Sequence, residues 1–263
     1  MARTAILSDI HANLHALCAV MEDVLAMQCS GFVCLGDVVG YNAYPGECLD
    51  YIRNSGCPVV KGNHDEEVGT PSETKMNPIA RQAMDWTRAQ LNEEQLSWLS
   101  RLQYRRNVRT DTGSTFTMVH ACLNKPEEWG YVLNESDATN HFLFGKQLSP
   151  ICFHGHSHMP RIFMTDGKNT VADDEILHPL YSEGYTEFQP QPGLKYLVNV
   201  GSVGQPRDMD PRSCYAIYDT ELNLVILKRV SYDVAAAQSA IRSISDLPEE
   251  ILDALANRLE HGR

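Results

Sequence analysis

The sequence lacks any long run of apolar residues. No stretch of its 263 residues approaches the roughly 18 consecutive apolar positions that a membrane-spanning helix requires. The first residues lead directly into TAIL, a strand-like segment too short to be the apolar core of an export signal. These two absences argue against a membrane protein and lead us to expect a cytoplasmic one.

Basic residues are scarce relative to acidic ones. Lys and Arg total 22 against 34 Asp and Glu, which gives a formal net charge of −12. Because a protein that coats nucleic acid needs a basic face, this balance argues against a nucleic-acid polymer as partner. A small anionic substrate is still compatible, provided that a bound metal supplies local positive charge.

Paired cysteines are also missing. The eight cysteines are spread along the chain without a Cys-x-x-Cys motif, and Cys34 and Cys152 lie inside apolar, strand-like runs. Such positions are typical of small buried hydrophobic residues. We therefore expect reduced thiols rather than a disulfide framework.

What is present begins with a repeated N-terminal pattern. ILSD and FVCLGD are short apolar strands that end in a carboxylate, and PVVKGNHD is a third apolar run that ends in polar residues. Apolar residues at helical spacing follow the first strand over 13–28, and a helix over 45–54 follows the second. This alternation is typical of parallel βαβ units, in which ligands bind beyond the carboxyl ends of the strands. The polar strand ends should therefore converge.

The rest of the chain predicts helices and then many strands. Helices are expected over 78–91, 93–102, 234–244 and 248–260, and seven strands between Tyr104 and Val230. The polar segment 166–194 is expected to be an inserted loop, because strand patterns continue on both sides of it. Together the patterns favour an α/β fold with two packed sheets flanked by helices. We expect one domain over residues 1–263, with C-terminal helices over 232–263.

Five polar strand ends carry residues that bind metals or transfer protons. They are Asp9 and His11 in SDIHAN, Asp37 in LGDVVG, Asn63 and His64 in KGNHD, His120 in MVHA, and His156 with His158 in GHSH. Each motif alone has an ordinary explanation, since Asp-x-His caps helices and Gly-Asp or Gly-Asn forms turns. Independent chance does not explain why all five follow apolar runs.

These residue types suit transition metals. Four imidazoles, two carboxylates and one amide oxygen form a mixed set that favours Mn, Fe, Zn, Ni or Co over Ca or Mg alone. Seven ligands exceed the needs of one tetrahedral ion, so two divalent ions sharing a bridging carboxylate are the simplest arrangement. Two ions about 3.5–4 Å apart can hold a bridging hydroxide and stabilise the attacking and leaving oxygens of a phosphoryl group.

The order of the motifs (D-x-H, G-D-x-x-G, G-N-H-D, H and G-H-x-H) resembles that of the calcineurin-like metallophosphoesterase superfamily. The resemblance is closest to its compact bacterial phosphodiesterase branch. It extends over residues 4–208 and includes the glycine-rich stretch NVGSVGQPRD. It implies a sandwich of two sheets flanked by helices and two divalent transition-metal ions, with Mn as the expected metal.

The resemblance also assigns roles to individual residues. One ion is expected on Asp9, His11 and His158, the other on Asn63, His120 and His156, and Asp37 is expected to bridge them. His64 is expected to act as general acid or as an electrostatic partner of the leaving group, and Asp65 to orient His64 or anchor the turn. Asn13 and Arg207 are candidates for substrate binding, and His154 is expected to be structural or to support the ligands. Ala12 stands where relatives often carry Gly, at little expected cost.

The resemblance implies hydrolysis of small phosphodiesters or related nucleotide phosphoesters. A phosphomonoesterase, a nuclease and a non-catalytic scaffold are the alternatives, although scaffold members lose ligands that are all present here. A monoester carries about two negative charges near neutral pH and is usually held by arginine forks. Because Arg207 is the only arginine expected near the site, we expect diesters to be preferred. A small phosphoester is the expected partner, neither nucleic-acid polymer nor membrane is, and a homo-oligomer is possible.

Overall fold

The computed structural model describes residues 3–70, 78–144 and 149–263. Its strands are β1 (Arg3–Leu7), β2 (Gly31–Cys34), β3 (Arg105–Arg109), β4 (Thr115–Val119), β5 (Ile151–His154), β6 (Arg161–Thr165), β7 (Thr170–Ala172), β8 (Tyr185–Phe188), β9 (Lys195–Asn199), β10 (Ser213–Asp219) and β11 (Leu224–Val230). Its α-helices are α1 (Leu14–Ala26), α2 (Pro45–Ser55), α3 (Asn63–Gly69), α4 (Pro78–Ala89), α5 (Glu93–Ser100), α6 (Glu135–Phe144), α7 (Asp174–Ser182), α8 (Val234–Arg242) and α9 (Glu249–His261).

The strands form two sheets. The first sheet has the order β2-β1-β10-β11-β8, and the second has the order β3-β4-β5-β9-β6-β7. Strands β1 and β2 are parallel in the first sheet, and β4, β5 and β9 are parallel in the second. The α/β fold with two sheets and flanking helices that the sequence predicts is therefore confirmed.

The core lies on both sides of the first sheet. Between the sheets, Ile6 and Ala216 of the first pack in one cluster with Phe153 and Val198 of the second. Since side chains alternate along a strand, the neighbouring residues of β1 face the other way, into a cluster with α1, α2, α8 and α9. Burial of these two faces fixes the register of β1 and, with it, the position of the loop that follows.

The segment 166–194 is not the loop that the sequence predicts. It contains β7, α7 and β8, and it leads from the edge of the second sheet to the edge of the first. Leu177 and Leu180 of α7 are buried, and Asp173 caps the helix by accepting a hydrogen bond from the N–H of Ile176. The elements are short and α7 contains Pro179, which hides their pattern in the sequence.

Other differences are smaller. The apolar run PVVKGNHD forms only isolated bridges, from Val59 to Cys34 and from Val60 to Gln103, before α3 begins. The sequence did not predict α6. All eight cysteines are free, and Cys34 and Cys152 are buried as predicted. None of the described helices combines the length and the apolar character that crossing a membrane would take.

Candidate metal centre and active site

The predicted polar residues meet where parallel strands of both sheets end. Asp9 follows β1 and Asp37 follows β2, while His120 follows β4 directly and His156 follows β5. Backbone hydrogen bonds hold these loops together: Asp9 N–H donates to the carbonyl of Gly36 at 3.0 Å, and Gly155 N–H donates to that of His120 at 2.9 Å. The convergence predicted from the sequence is therefore present.

A first ligand group consists of Asp9, His11, His158 and Asp37, whose ligand atoms all lie within 4.8 Å of one another. His11 Nε2 is 3.0 Å from His158 Nε2, which is 3.2 Å from Asp9 Oδ1. With metal–ligand bonds of about 2.1 Å, neighbouring ligand atoms around one ion stand about 3.0 to 3.4 Å apart. The spacing of this group therefore fits a single metal ion.

A second ligand group consists of Asp37, His120 and His156. Asn63 joins it, because its Oδ1 lies 3.2 Å from His120 Nε2. Asp37 Oδ2 is 3.3 Å from His120 Nε2 and 3.6 Å from His11 Nε2, so this one oxygen faces both groups. The seven residues expected to be ligands thus divide into two adjacent sets that share Asp37.

The four imidazoles are oriented by backbone carbonyls. Nδ1 of His11, His120 and His158 contacts the carbonyls of Val39, Leu35 and Gln205 at 3.3, 2.8 and 2.5 Å, and Nε2 of His156 contacts that of Trp129 at 3.0 Å. Because a carbonyl only accepts hydrogen bonds, each of these nitrogens carries the proton. A neutral ring then turns its other nitrogen, with a free lone pair, toward the ligand groups. This arrangement is the usual support of metal-binding histidines.

Left-handed backbone is concentrated in the ligand groups. Asp9, His11, Asp37, His156 and His158 have φ angles between 49° and 66°. This conformation costs a non-glycine residue about 1–2 kcal/mol and is common at functional sites. Ala12 also has a φ of 57°, where its methyl group crowds the backbone, so alanine carries a conformational cost there that glycine would not.

Two motif glycines allow close approach to the carboxylates. A Cβ atom on Gly62 would lie 2.1 Å from Asp37 Oδ1, and one on Gly155 would lie 2.3 Å from Asp9 Oδ2. Any side chain at either position would displace a carboxylate. The glycines of KGNHD and GHSH are therefore required by the geometry of the ligand groups.

Charges within the groups keep both acids ionised. Burial raises the pKa of Asp37, but His120 and His64 outweigh it and hold this pKa well below its usual range. Burial likewise opposes ionisation of Asp9, yet His158 lowers the pKa of that carboxyl. Burial lowers the pKa of His156 to about 3, whereas Asp37 overcomes burial at His120 and raises its pKa to about 9. Anionic acids beside mostly neutral imidazoles are the form in which such residues bind metals.

Comparison with known proteins identifies the family. The model of the calcineurin-like phosphoesterase superfamily domain matches residues 3–223. The chain belongs to that superfamily. The chain is 35% identical to uncharacterized protein MJ0912 of Methanocaldococcus jannaschii over 242 residues, covering 90% of each.

Two solved structures are similar over nearly the whole chain. A metallophosphoesterase from Sphaerobacter thermophilus is 35% identical, with a TM-score of 0.82 and coverage of 100% of this chain and 99% of the other. Hypothetical protein PH1004 of Pyrococcus horikoshii is 18% identical, with a TM-score of 0.78 and the same coverage. The second comparison shows the fold alone, while the first is also close in sequence. The resemblance inferred from the motifs is confirmed.

His64 and Asp65 lie at the start of α3. The backbone N–H of His64 donates to Asp37 Oδ1 at 2.8 Å, its ring stands edge-on to His11 at 4.7 Å, and its Nδ1 is 3.1 Å from the sulfur of Met84. Burial lowers the pKa of His64 to about 4, with Asp37 opposing and Arg207 contributing. His64 thus borders the first ligand group.

The Asp65 carboxylate forms hydrogen bonds with the surrounding backbone. It accepts hydrogen bonds from the N–H groups of Asp37 at 2.8 Å, Val38 at 2.9 Å and Gly62 at 3.1 Å. Burial and the neighbouring Asp37 raise the pKa of Asp65, which these N–H donors oppose. Of the two roles expected for Asp65, this geometry matches anchoring of the turn, so we treat it as a positioning residue.

Asn13, a predicted substrate-binding residue, forms hydrogen bonds within the fold. It is buried and caps α1, where its Oδ1 accepts from the N–H of Ala16 at 3.1 Å, and its Nδ2 donates to the carbonyl of Gly204 at 2.9 Å. Both polar atoms of the side chain are therefore engaged, and Asn13 ties the loop after β1 to the glycine-rich stretch 199–208. That Asn13 also binds substrate stays a prediction, and its partner in that stretch could not be foreseen from the sequence.

Arg207 lies at the site, as expected, but it is not alone. Its guanidinium is 5.8 Å from the ring of Tyr41, and that of Arg258 on α9 is 5.7 Å from the same ring. The Tyr41 ring in turn lies 4.4 Å from that of His64. The sequence reading missed Tyr41 and Arg258, and the only local signal was the position of Tyr41 just after the G-D motif.

Aromatic residues form a second border of the site that the sequence did not reveal. The ring of Tyr131, which is 52% exposed, stacks on His156 at 4.2 Å, and that of Trp129 lies 5.9 Å from His120. Farther from the site, His154 is buried at the end of β5, and its ring lies 6.3 Å from that of His141. This environment suits the structural role expected for His154.

Proposed function

We propose that the protein hydrolyses small phosphodiesters or related nucleotide phosphoesters, using two divalent transition-metal ions of which Mn is the expected one. One observation carries the proposal: Asp37 Oδ2 lies within 3.6 Å of a histidine nitrogen from each ligand group. A carboxylate oxygen so placed can bridge two ions. A phosphoester, rather than a nucleic-acid polymer, is the proposed partner because the net charge of the chain is −12.

The residues present fit such a pair of ions. Asp9 Oδ1 is buried and lies 3.2 Å from His158 Nε2, the ring nitrogen left without a proton by the contact of Nδ1 with Gln205, so a cation between the two would satisfy both atoms. One ion would be held by Asp9, His11 and His158. The other would be held by Asn63, His120 and His156, and Asp37 would contact both ions. When bound, such ions act as Lewis acids on the phosphoryl oxygens and lower the pKa of water.

His64 is proposed to protonate the leaving oxygen. A thioether sulfur only accepts, so the contact with Met84 places the proton of the neutral ring on Nδ1 and leaves Nε2 free. A phosphoester bound beside His64 raises its pKa, because a nearby negative charge favours the protonated ring. The proton gained at Nε2 is then available to the alkoxide that departs.

A diester preference follows from charge. Two divalent ions offset by Asp9, Asp37 and one hydroxide would leave a charge near +1, which suits the single negative charge of a diester. A diester also presents a leaving group that needs a proton, as His64 can supply. The alternative is a phosphomonoesterase, in which Arg207 would hold the additional charge of the substrate.

The test uses the purified protein loaded separately with Mn, Ni, Zn or Mg. Rates with bis(nitrophenyl) phosphate and nitrophenyl phosphate are compared at one pH, and bound metal is counted. Asp37→Asn is expected to lose both metal and activity. Asp219→Asn is the control, since that carboxylate pairs with Arg3 at the end of β1 remote from the site. Failure of every metal form to hydrolyse the diester, or two ions retained in Asp37→Asn, would contradict the proposal.

A further inference from the structure

Two arginines from distant parts of the chain meet at Tyr41. Arg207 follows the glycine-rich stretch, whereas Arg258 belongs to α9, the last helix. Both guanidinium carbons lie within cation–π distance of the one ring, at 5.8 and 5.7 Å. Because that ring contacts His64 and His11, at 4.4 and 4.8 Å, the two cations border the active site without belonging to the ligand groups.

The position of Arg258 is fixed by the way α9 ends. Gly262 caps the helix in the left-handed conformation, and its carbonyl accepts a hydrogen bond from Met209 N–H at 2.9 Å. A Cβ atom on Gly262 would lie 2.7 Å from the backbone nitrogen of Asp210, which shows how closely the two segments pack. The end of α9 is therefore attached to the residues that follow Arg207, and both arginines lie near the same Tyr41 ring.

These two cations lack the neutralisation that neighbouring arginines have. Arg212, Arg229 and Arg242 each pair with an aspartate, namely Asp210, Asp208 and Asp253. Arg207 donates to the amide oxygen of Gln205 at 3.1 Å, and within the described residues no carboxylate lies within ion-pair distance of Arg207 or Arg258. In a chain with a net charge of −12, two half-buried arginines without acids beside the site mark a place for an anion.

We propose that Arg207 and Arg258 form a second anion subsite, which binds a phosphate of the substrate other than the phosphoester that is hydrolysed. The inference deepens the proposed function and rests on it for the reaction, but not for the binding of the anion. The substrate class is then a phosphoester that carries a further phosphate group. Arg258 is a specificity-determining residue, which selects this substrate over an otherwise identical one with no second phosphate.

Binding is measured first, because it needs no turnover. The probes are thymidine 3′,5′-bisphosphate and thymidine 5′-monophosphate, which carry a base because Tyr131 offers an exposed ring face. Calorimetry with the metal-loaded protein should show about ten-fold tighter binding of the bisphosphate, beyond the factor of two expected from a second equivalent phosphate. Arg258→Gln should remove most of this difference, and Arg258→Lys should restore part of it because the charge is kept. Arg242→Gln, on α8, is the matched control, and this variant should keep the tighter binding of the bisphosphate.

Turnover then separates the subsite from the proposed reaction. The substrates are the nitrophenyl ester of thymidine 5′-phosphate and the same ester with a 3′-phosphate. Arg258→Gln should raise the KM of the phosphorylated ester about ten-fold and leave its kcat, and the kinetics of the plain ester, unchanged. Equal losses on both esters, or an unchanged preference in binding and turnover, would overturn the subsite. Absence of hydrolysis with the binding preference intact would instead overturn the proposed reaction.

Discussion

His64 occupies a position in which one side chain can be tested without disturbing the metals. Its link to the second ligand group is made by its backbone N–H, which donates to Asp37 and is kept in any substitution other than proline. His64→Ala should therefore retain both ions. If the ring protonates the leaving oxygen, turnover of a diester with an alkyl leaving group should fall by about 10²–10⁴-fold.

The leaving group provides the control for that experiment. Nitrophenolate departs with little need of a proton, so the loss in His64→Ala should be much smaller with bis(nitrophenyl) phosphate. Metal content, measured on the same samples, should equal that of the wild type. Equal losses for alkyl and nitrophenyl substrates would mean that His64 binds or stabilises charge instead of donating a proton.

His141 should make the stability of the protein depend on pH. It is buried on α6, where burial lowers its pKa to about 3, against about 6.5 in the unfolded chain. Between these values the unfolded chain binds more protons, so the free energy of unfolding falls as pH decreases. His141→Asn, which preserves an acceptor for the N–H of Leu123, should reduce the loss between pH 7 and pH 5 by about 2 kcal/mol.

Urea unfolding of the two proteins at both pH values measures this difference. His178→Asn on α7 is the control, since His178 is exposed. The variant at His178 should follow the wild type at both pH values. A His141→Asn protein that loses as much stability as the wild type on acidification would show that His141 does not cause the effect.

At the scale of elements, the start of α3 and the loop after β2 act as one unit through Asp65. The Asp65 carboxylate accepts hydrogen bonds from N–H groups of the loop and of the residue before α3. An asparagine side chain has only one oxygen that can accept them. Leaving a buried N–H unpaired costs about 1–3 kcal/mol. Because the loop carries Asp37, Asp65→Asn should also weaken metal binding by about 10–100-fold.

A second capping carboxylate separates the two effects. Asp233 caps α8 by accepting from the N–H of Ala236 at 2.8 Å, far along the chain from the ligand groups. Asp233→Asn should change stability little and metal affinity not at all. Thermal unfolding and a Mn titration of both variants make the comparison. Unchanged Mn affinity in Asp65→Asn would show that Asp65 does not position Asp37 for metal binding.

The elements also show which features of this protein its sequence can predict. An apolar strand that ends in a polar residue is a local pattern, so the ends of β1, β2, β4 and β5 and their ligands could be found one motif at a time. The role of Asn13 could not, because its partner Gly204 is 191 residues away. The same holds for Arg258, which reaches Tyr41 only through the packing of α9. Short elements such as β7 are fixed by the sheet they join rather than by their own composition.

At the scale of the whole molecule, the ligand groups join the two sheets. Asp9 and Asp37 follow strands of the first sheet, and His120 and His156 follow strands of the second. Ions held between them would bind the folded chain and not the unfolded one. Metal binding should therefore stabilise the entire fold and not only the loops that supply the ligands.

Removal of the metal should accordingly lower the melting temperature. A ligand present at 100 times its Kd stabilises the folded state by about 2.7 kcal/mol. For a chain of this size, each kcal/mol corresponds to about 2–4 °C, so chelation should lower Tm by about 5–10 °C and Mn should restore it. The chelated protein should still unfold cooperatively. Asp37 raises the pKa of His120 to about 9, so the protonated ring neutralises the Asp37 carboxylate when no ion is bound. Asp37→Asn serves as the control, since it should respond little to either treatment. Equal Tm values for chelated and Mn-loaded wild type would show that no ion links the two sheets.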